Sequence, residues 1–213
     1  MSNKLINQSR AEKILDREKL DGLVVASPIN FYYVSGYWGL YNTPLGFDGC
    51  YFSVLPKDNS KEPGMVLPAL EVRRLETFGK PWIDNMFLYS SKGDGEFFDE
   101  NFPKGQDYQG WPVDPNAALN PLEEKWKSII KEFENSYSEN SIQALIRAIK
   151  GAGLDHKKVL IDDLRIEKWL SEDSSINVEC IFRPELFNEI RMVKTQNEIE
   201  IMREAAIINE ESM

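Results

Sequence analysis

The stretch RAEKILDREKLDGLVVASPINFYYVSGYWG, residues 10–39, decides the fold, because its apolar spacing changes from helical to strand-like and back again. Ser9 and Glu12 have the spacing of a capping box, which predicts a helix start, and the DG pair at 21–22 predicts its end. LVVA at 23–26 is a short unbroken apolar run, typical of a strand buried on both faces of a sheet. The chain therefore opens with a helix followed by a buried strand.

The residues that follow this strand predict a short helix and then a hairpin. Ser27 is suited to an N-cap before Pro28 at the first helical position, and Gly36 supplies a left-handed helix end. Beyond it, the apolar runs at 49–56 and 64–68 flank a polar stretch of turn-forming residues. These two runs are predicted to be an antiparallel strand pair.

The rest of the chain continues the alternation of helices and strands. The pattern predicts helices at 69–78, 121–133, 141–153, 164–171 and 184–193, and strands at 82–90, 158–162 and 176–182. Residues 91–120 are rich in Gly, Pro and aromatic residues, and we expect a long loop that acts as a lid, an arm or a solvated insertion. The predicted fold class is α/β, with a mixed, mostly parallel sheet and helices on both faces.

The C-terminal segment predicts one more helix, with Thr195 and Glu198 in capping-box spacing ahead of it. Its apolar residues fall mostly at three- and four-residue spacings: Ile199, Met202, Ala205, Ala206 and Ile208. Such a stripe needs a surface to cover it. Either the helix docks on its own domain, or the chain is part of a longer protein and the helix belongs to the next domain.

Composition and charge exclude several classes of function. Apolar residues make up 42% of the 213, which is typical of a globular protein, and no run approaches the length that spans a bilayer. The start MSNKLINQSRAEK lacks the apolar core of a signal peptide, which predicts a cytoplasmic protein with Cys50 and Cys180 as free thiols. The formal net charge of −10 opposes binding to nucleic acids and to anionic membranes.

Residues that could carry catalysis are few. His156 is the one histidine of the sequence and lies in a polar turn, so a solvated side chain is favoured over a metal ligand or base. Asp162 and Asp163 end the predicted strand at 158–162, where α/β proteins often place functional carboxylates, but Asp163 is equally suited to cap the next helix. Glu71, Arg73 and Arg74 lie on the predicted helix at 69–78, where an exposed, salt-bridged surface is favoured over a charged face for a substrate carboxylate. No self-contained catalytic group emerges.

Two segments resemble the creatinase/prolidase N-terminal domain, of the pita-bread metallohydrolases that include the Xaa-Pro aminopeptidases. The first, within 10–39, is similar to the family pattern SP-x-N-x-x-Y-x-x-G and carries it in Ser27, Pro28, Asn30, Tyr33 and Gly36. The second, at 191–206, is similar to the pattern that joins this domain to the next one. It is carried by Arg191, Lys194, Thr195, Glu198, Ile199, Met202 and Ala205.

The resemblance implies a ribonuclease H-like N-terminal domain over 1–190, with 91–120 as an insertion. Residues 191–213 would then be the junction and the first helix of a pita-bread catalytic domain that is absent here. In the family that domain binds two divalent metal ions through two Asp, one His and two Glu, and most often cleaves a bond preceding proline, or in some branches creatine and other C–N substrates. This chain alone is therefore expected to be inactive.

By the same resemblance, the N-terminal domain forms homodimer contacts and helps to shape the site for a peptide or small-molecule substrate. The implied contacts are Tyr37, Trp38, Tyr41 and Asn42, with the aromatic rings covering an apolar group and Asn42 fixing a polar one. An alternative is that Tyr37 and Trp38 simply fill the core.

Two other classes of function remain open at this stage. One is a free-standing α/β enzyme that uses Asp162 or Asp163, which predicts activity from this chain alone. The other is a metal-free interaction protein, because the pita-bread fold also occurs in the large subunit of a histone chaperone.

Overall fold

The computed structural model describes residues 4–39, 51–71, 74–75, 81–89, 118–132 and 138–212. Within these ranges the strands β1–β6 are Gly22–Val25, Phe52–Pro56, Gly64–Pro68, Met86–Tyr89, Lys158–Ile161 and Glu179–Phe182. The helices α1–α7 are Gln8–Glu18, Pro28–Ser35, Pro121–Glu132, Ser141–Gly151, Leu164–Ser171, Pro184–Met192 and Gln196–Glu211.

The strands form one mixed sheet in the order β4-β3-β2-β1-β5-β6. Neighbours are parallel in β3–β4, β1–β5 and β5–β6, and antiparallel in β1–β2 and β2–β3. The central strand β1 is paired on both sides, with Val24 opposite Val54 of β2 and opposite Ile161 of β5. This arrangement confirms the predicted mixed sheet and the predicted antiparallel pair at 49–56 and 64–68.

Helices cover both faces of the sheet, as the sequence predicts. Alternate strand residues point to opposite faces. Val24 and Ile161 therefore pack in the core beneath α4 and α5, while Leu23, Val25 and Leu160 pack in the core beneath α1, α2 and α6. This explains the continuous apolar run at 23–26, because both faces of β1 are buried.

The ends of α1 differ from the prediction. The N-cap is Asn7 rather than Ser9, and the Asn7 side chain accepts a hydrogen bond from the Arg10 backbone N–H at 3.3 Å. The helix ends at Lys19, which takes a left-handed conformation with φ of 57°. Gly22 is instead the first residue of β1, where an added Cβ would lie 2.8 Å from a backbone oxygen of β2.

Two strands are shorter than predicted. The run at 82–90 forms a strand only over Met86–Tyr89, while the indole N–H of Trp82 donates to the carbonyl of Val34 at 2.7 Å. The run at 176–182 forms a strand only over Glu179–Phe182. In the part of the chain that the structure describes, this strand pairs with β5 alone, and that ladder begins with Lys158 opposite Glu179.

Two other predictions are only partly testable in the described residues. The predicted helix at 69–78 begins as a short 3-10 turn, Ala69–Glu71, and helical residues recur at 74–75. The predicted loop at 91–120 lies outside the described residues apart from 118–120, and Cys50 lies outside them as well.

Candidate functional site

The carboxyl ends of β1 and β5 meet at one edge of the sheet, because the two strands are parallel neighbours. The chain leaves β1 into α2 on one face and leaves β5 into α5 on the other. Open α/β sheets commonly bind ligands at the carboxyl ends of neighbouring strands whose connections leave on opposite faces. The residues placed there are Ala26 and Ser27 after β1, and Asp162 and Asp163 after β5.

Asp162 is the centre of a hydrogen-bond network at this edge. Its Oδ1 accepts from the Ala26 N–H at 2.8 Å, and its Oδ2 accepts from the Ser27 N–H at 3.1 Å and from Asn30 Nδ2 at 2.9 Å. The Ser27 hydroxyl also donates to Oδ2. Burial raises the pKa of Asp162 above its ordinary value, and the four donors act in the opposite direction.

These contacts explain part of the motif quoted from residues 10–39. Ser27 caps α2 by position, but its hydroxyl binds Asp162 rather than a backbone N–H of the helix. Asn30 is buried and uses its amide group on the same carboxylate. The motif residues therefore tie the start of α2 to the end of β5.

Asp163 is the N-cap of α5, as the sequence suggested. Its Oδ1 accepts from the Arg165 backbone N–H at 2.9 Å, and the Arg165 guanidinium binds the same carboxylate. The hydrogen bond from the Arg165 side chain lowers the pKa of Asp163. Both carboxylates thus have structural partners, which weighs against a free-standing enzyme that uses Asp162 or Asp163 as a base.

Other chemically reactive side chains lie apart from this edge. His156 is exposed and adopts a φ of 57°, with Asp155 as its neighbour at 3.9 Å, as expected for a solvated turn histidine. Cys180 is a free thiol whose pKa burial raises to about 11, so it is a poor nucleophile at neutral pH. Among the described residues, no three His, Cys, Asp or Glu side chains group to hold a metal ion.

Glu71 is fully buried, which corrects the prediction of an exposed, salt-bridged helix face. Tyr37 donates its hydroxyl hydrogen to Glu71 Oε2 at 2.6 Å, and Tyr51 donates to Oε1. Arg74 Nε lies 3.2 Å from Oε2. Burial, and next the hydrogen bond to Glu71, raise the pKa of Tyr37. A carboxylate in an apolar core is stable only with such partners.

The four predicted substrate contacts fall in different environments. Tyr37 is buried with Glu71, whereas Trp38 is 41% exposed. Tyr41 and Asn42 lie outside the described residues. Any contact of these residues with a substrate stays a prediction.

Trp38 belongs to an exposed apolar surface that sequence reasoning did not identify as a unit. Its indole meets the Tyr32 ring edge to face, with centroids 5.6 Å apart, and Ile29 is exposed one helical turn before Tyr32. The sequence signal that could have found this surface is the absence of charged residues from Gly22 to Phe47.

Helix α7 begins with the predicted capping box. Glu198 N–H donates to Thr195 Oγ1 at 3.1 Å, and Thr195 N–H donates to the Glu198 carboxylate at 2.8 Å. Asn197 also donates to the carbonyl of Lys4 at 3.2 Å, which fixes the first turn to the domain. Beyond this turn, residues 200–212 are all exposed, and within the described part of the chain nothing covers Met202.

A cleft of about 250 Å³ opens elsewhere on the surface. Among its charged lining residues, Arg183 pairs with Glu18 at 2.9 Å and Lys158 pairs with Glu179 at 2.7 Å. None of its lining residues belongs to the Asp162 or Glu71 networks. No helix of the described residues is long and apolar enough to cross a membrane.

Comparison with known proteins agrees with this architecture. The sequence matches the profile of the creatinase/prolidase N-terminal domain over residues 8–204. The fold is similar to a prolidase from Thermococcus sibiricus, with a TM-score of 0.51 and 18% identity, covering 96% of this chain and 41% of that chain. It is also similar to a proline dipeptidase from Streptococcus pneumoniae, with a TM-score of 0.50 and 19% identity, covering 91% of this chain and 100% of that chain. No curated protein sequence has significant similarity to this chain.

Proposed function

Because this chain belongs to the creatinase/prolidase N-terminal domain family, we propose that it is the noncatalytic domain of a pita-bread metallohydrolase. In this proposal it supports assembly and shapes the substrate site of an Xaa-Pro dipeptidase, an aminopeptidase or a creatinase-like hydrolase. The Thermococcus sibiricus chain, described as a prolidase, is more than twice as long as the part matched here. The activity of a whole protein would then depend on a catalytic domain that this chain does not contain.

The observation that carries this proposal is the exposure of four large apolar side chains on α7. Ile201, Met202, Ile207 and Ile208 are each between 43% and 65% exposed, although the helix is otherwise well formed and capped. Fully burying a side chain of this size is worth about 1.5–3 kcal/mol, so covering what remains exposed is worth roughly 1 kcal/mol each. Exposed apolar side chains on a helix that contacts the rest of the described chain through its first turn fit a partner domain.

The family's two metal ions would bind in the catalytic domain. The ligand set implied by the resemblance is two Asp, one His and two Glu, and no such group assembles among the described residues. The contribution of this chain itself is to bind, to orient and to exclude water around a substrate held by the catalytic domain.

Trp38 is the residue that we propose to contact substrate. It is exposed, it is braced by Tyr32, and a flat aromatic ring can cover an apolar group of a small substrate. The same surface suits a homodimer. Two copies that each carry a charge of −10 repel one another, and this uncharged surface allows close approach with the least repulsion.

The test compares this chain alone with a protein in which it is joined to its catalytic domain. The chain alone, given Mn²⁺ or Co²⁺ and an Xaa-Pro dipeptide, should release no proline. The joined protein should release it, and Met202→Glu should reduce that activity by weakening the contact between the domains. Hydrolysis by the chain alone that is lost in Asp162→Asn, under conditions in which circular dichroism shows the variant to be folded, would instead support the free-standing enzyme.

A further inference from the structure

Glu71 is connected to both ends of the segment that links α2 to β2. Tyr37 lies just after the end of α2, and Tyr51 lies just before β2. Both hydroxyls donate to the Glu71 carboxylate, one to each oxygen. The buried Glu71 side chain therefore links Tyr37, near the start of this connection, to Tyr51 at its end.

The backbone at Gly39 packs closely against Tyr51, one of the two tyrosines that bind Glu71. An added Cβ at Gly39 would lie 2.4 Å from Cζ of the Tyr51 ring, so the chain passes directly against that ring. The ring is buried and its hydroxyl is bound to Glu71, so it has little freedom to move away. Only glycine fits this approach without displacing the ring.

Trp38 lies between Tyr37 and Gly39, two residues whose positions are fixed by contacts with the core. On one side, the Tyr37 backbone N–H donates to Ser35 Oγ at 3.0 Å, and the Tyr37 side chain is bound to Glu71. On the other side, Gly39 is packed against Tyr51. The backbone of Trp38 is therefore held on both sides, and its indole leaves the core toward Tyr32.

From this arrangement we propose that Glu71 is a positioning residue, which fixes the orientation of the exposed Tyr32–Trp38 pair through Tyr37 and Tyr51. Removing a buried carboxylate leaves its partners unpaired and therefore destabilises the core, so a loss of stability alone does not identify a positioning role. Here the carboxylate accepts from two tyrosines that flank the exposed indole. This inference deepens the proposed function, because it names the group that orients the proposed substrate contact.

The experiment uses the 213-residue chain labelled with 5-fluorotryptophan and observed by fluorine NMR. The sequence has five tryptophans, and Trp38→Phe identifies the signal of Trp38. In Glu71→Gln, which keeps the shape but loses the charge, the Trp38 signal should move toward that of free fluorotryptophan. The difference in its chemical shift between H₂O and D₂O should rise by about twofold, because Trp38, which is now 41% exposed, would become nearly fully exposed.

Two further variants separate positioning from general destabilisation. Tyr37→Phe removes one hydroxyl and should move the Trp38 signal in the same direction, and adding it to Glu71→Gln should produce little further change. Ile166→Ala creates a cavity in the core on the other face of the sheet. It should lower the melting temperature but leave the Trp38 signal in place.

The proposal is overturned if Glu71→Gln lowers stability and leaves the Trp38 signal unchanged, or if Ile166→Ala moves that signal equally. If Glu71→Gln does not fold, Tyr37→Phe decides by the same criterion. The result does not depend on what Trp38 binds. Should Trp38→Ala leave the KM of the joined enzyme unaltered, the proposed substrate contact fails while the role of Glu71 stands.

Discussion

Substituting Asp162 by asparagine should destabilise the domain, whereas the same change at its neighbour Asp163 should not. The asparagine side chain would offer one acceptor oxygen where the carboxylate of Asp162 now accepts four hydrogen bonds from Ala26, Ser27 and Asn30. If that oxygen keeps the bond from Ala26, the new NH₂ group faces three donors: the backbone N–H and the hydroxyl of Ser27, and the side-chain amide of Asn30.

Local rearrangement can recover some of these bonds. The Ser27 hydroxyl can rotate to accept. Asn30 can turn its amide so that its Oδ1, which has no hydrogen-bond partner among the described residues, accepts from the new amide. The Ser27 backbone N–H cannot adapt and is left half-buried without an acceptor. One such group costs about 1–3 kcal/mol, so we expect Asp162→Asn to lower the unfolding free energy by about 2 kcal/mol.

The control is Asp163→Asn. Asparagine is as good an N-cap as aspartate, and the pair with Arg165 is partly exposed to solvent, so the loss should stay within about 1 kcal/mol. Urea unfolding followed by circular dichroism measures both variants. In thermal melts the Asp162 variant should lose about 4–8 °C at this chain length. Equal losses in the two variants, or a loss below about 0.5 kcal/mol at Asp162, would refute the reasoning.

Three further predictions concern the same network, the Glu71 junction and α7. Burial raises the pKa of Asp162 above its ordinary 3.8, so its contribution to stability is full below that pH and is lost as the pH rises through the folded-state pKa. In urea unfolding, the unfolding free energy of the wild type should therefore rise relative to that of Asp162→Asn as the pH falls toward 3.8. A difference between the two that does not change with pH would contradict this. Gly39→Ala should cost about 1–3 kcal/mol in a thermal melt, because its Cβ would overlap the Tyr51 ring, and an unchanged melting temperature would be inconsistent with that packing. Met202→Glu and Ile208→Glu should change the unfolding free energy by less than about 0.5 kcal/mol, since both side chains are exposed, and a loss above about 2 kcal/mol would show that they pack on this domain.

Local signals in the sequence predict much of the fold. The Thr195–Glu198 capping box and the left-handed Gly36 each depend on residues within one turn, and both occur as predicted. The start of α1 could not be fixed in this way, because Asn7 and Ser9 are both good caps and only Asn7 is placed to accept from the helix. A choice between adjacent caps is decided by tertiary contacts, such as the bond from the Asn7 backbone N–H to a tyrosine of α2.

The candidate site was less predictable, because its contacts join distant parts of the chain. Ser27 and Asp162 are 135 residues apart in sequence, and no spacing rule connects them. Glu71 appeared to be a surface residue, since a charged side chain is rarely buried without partners and its partners Tyr37 and Tyr51 lie in other elements. What the sequence did provide was the motif containing Ser27 and Asn30, whose physical role became clear only with Asp162 beside them.

The most direct test of the account is hydrogen exchange of the amides in α7, Gln196–Glu211, in this chain alone. A helix of 16 residues that, within the described ranges, is held by its first turn alone is marginally stable in water. The account therefore predicts that amides beyond Glu200 exchange nearly as fast as those of an isolated helical peptide, while α4, with Leu145 and Ile149 fully buried, stays protected. If α7 were protected as strongly as α4 in the chain alone, the claim that the exposed apolar side chains of α7 pack against a partner domain would be contradicted.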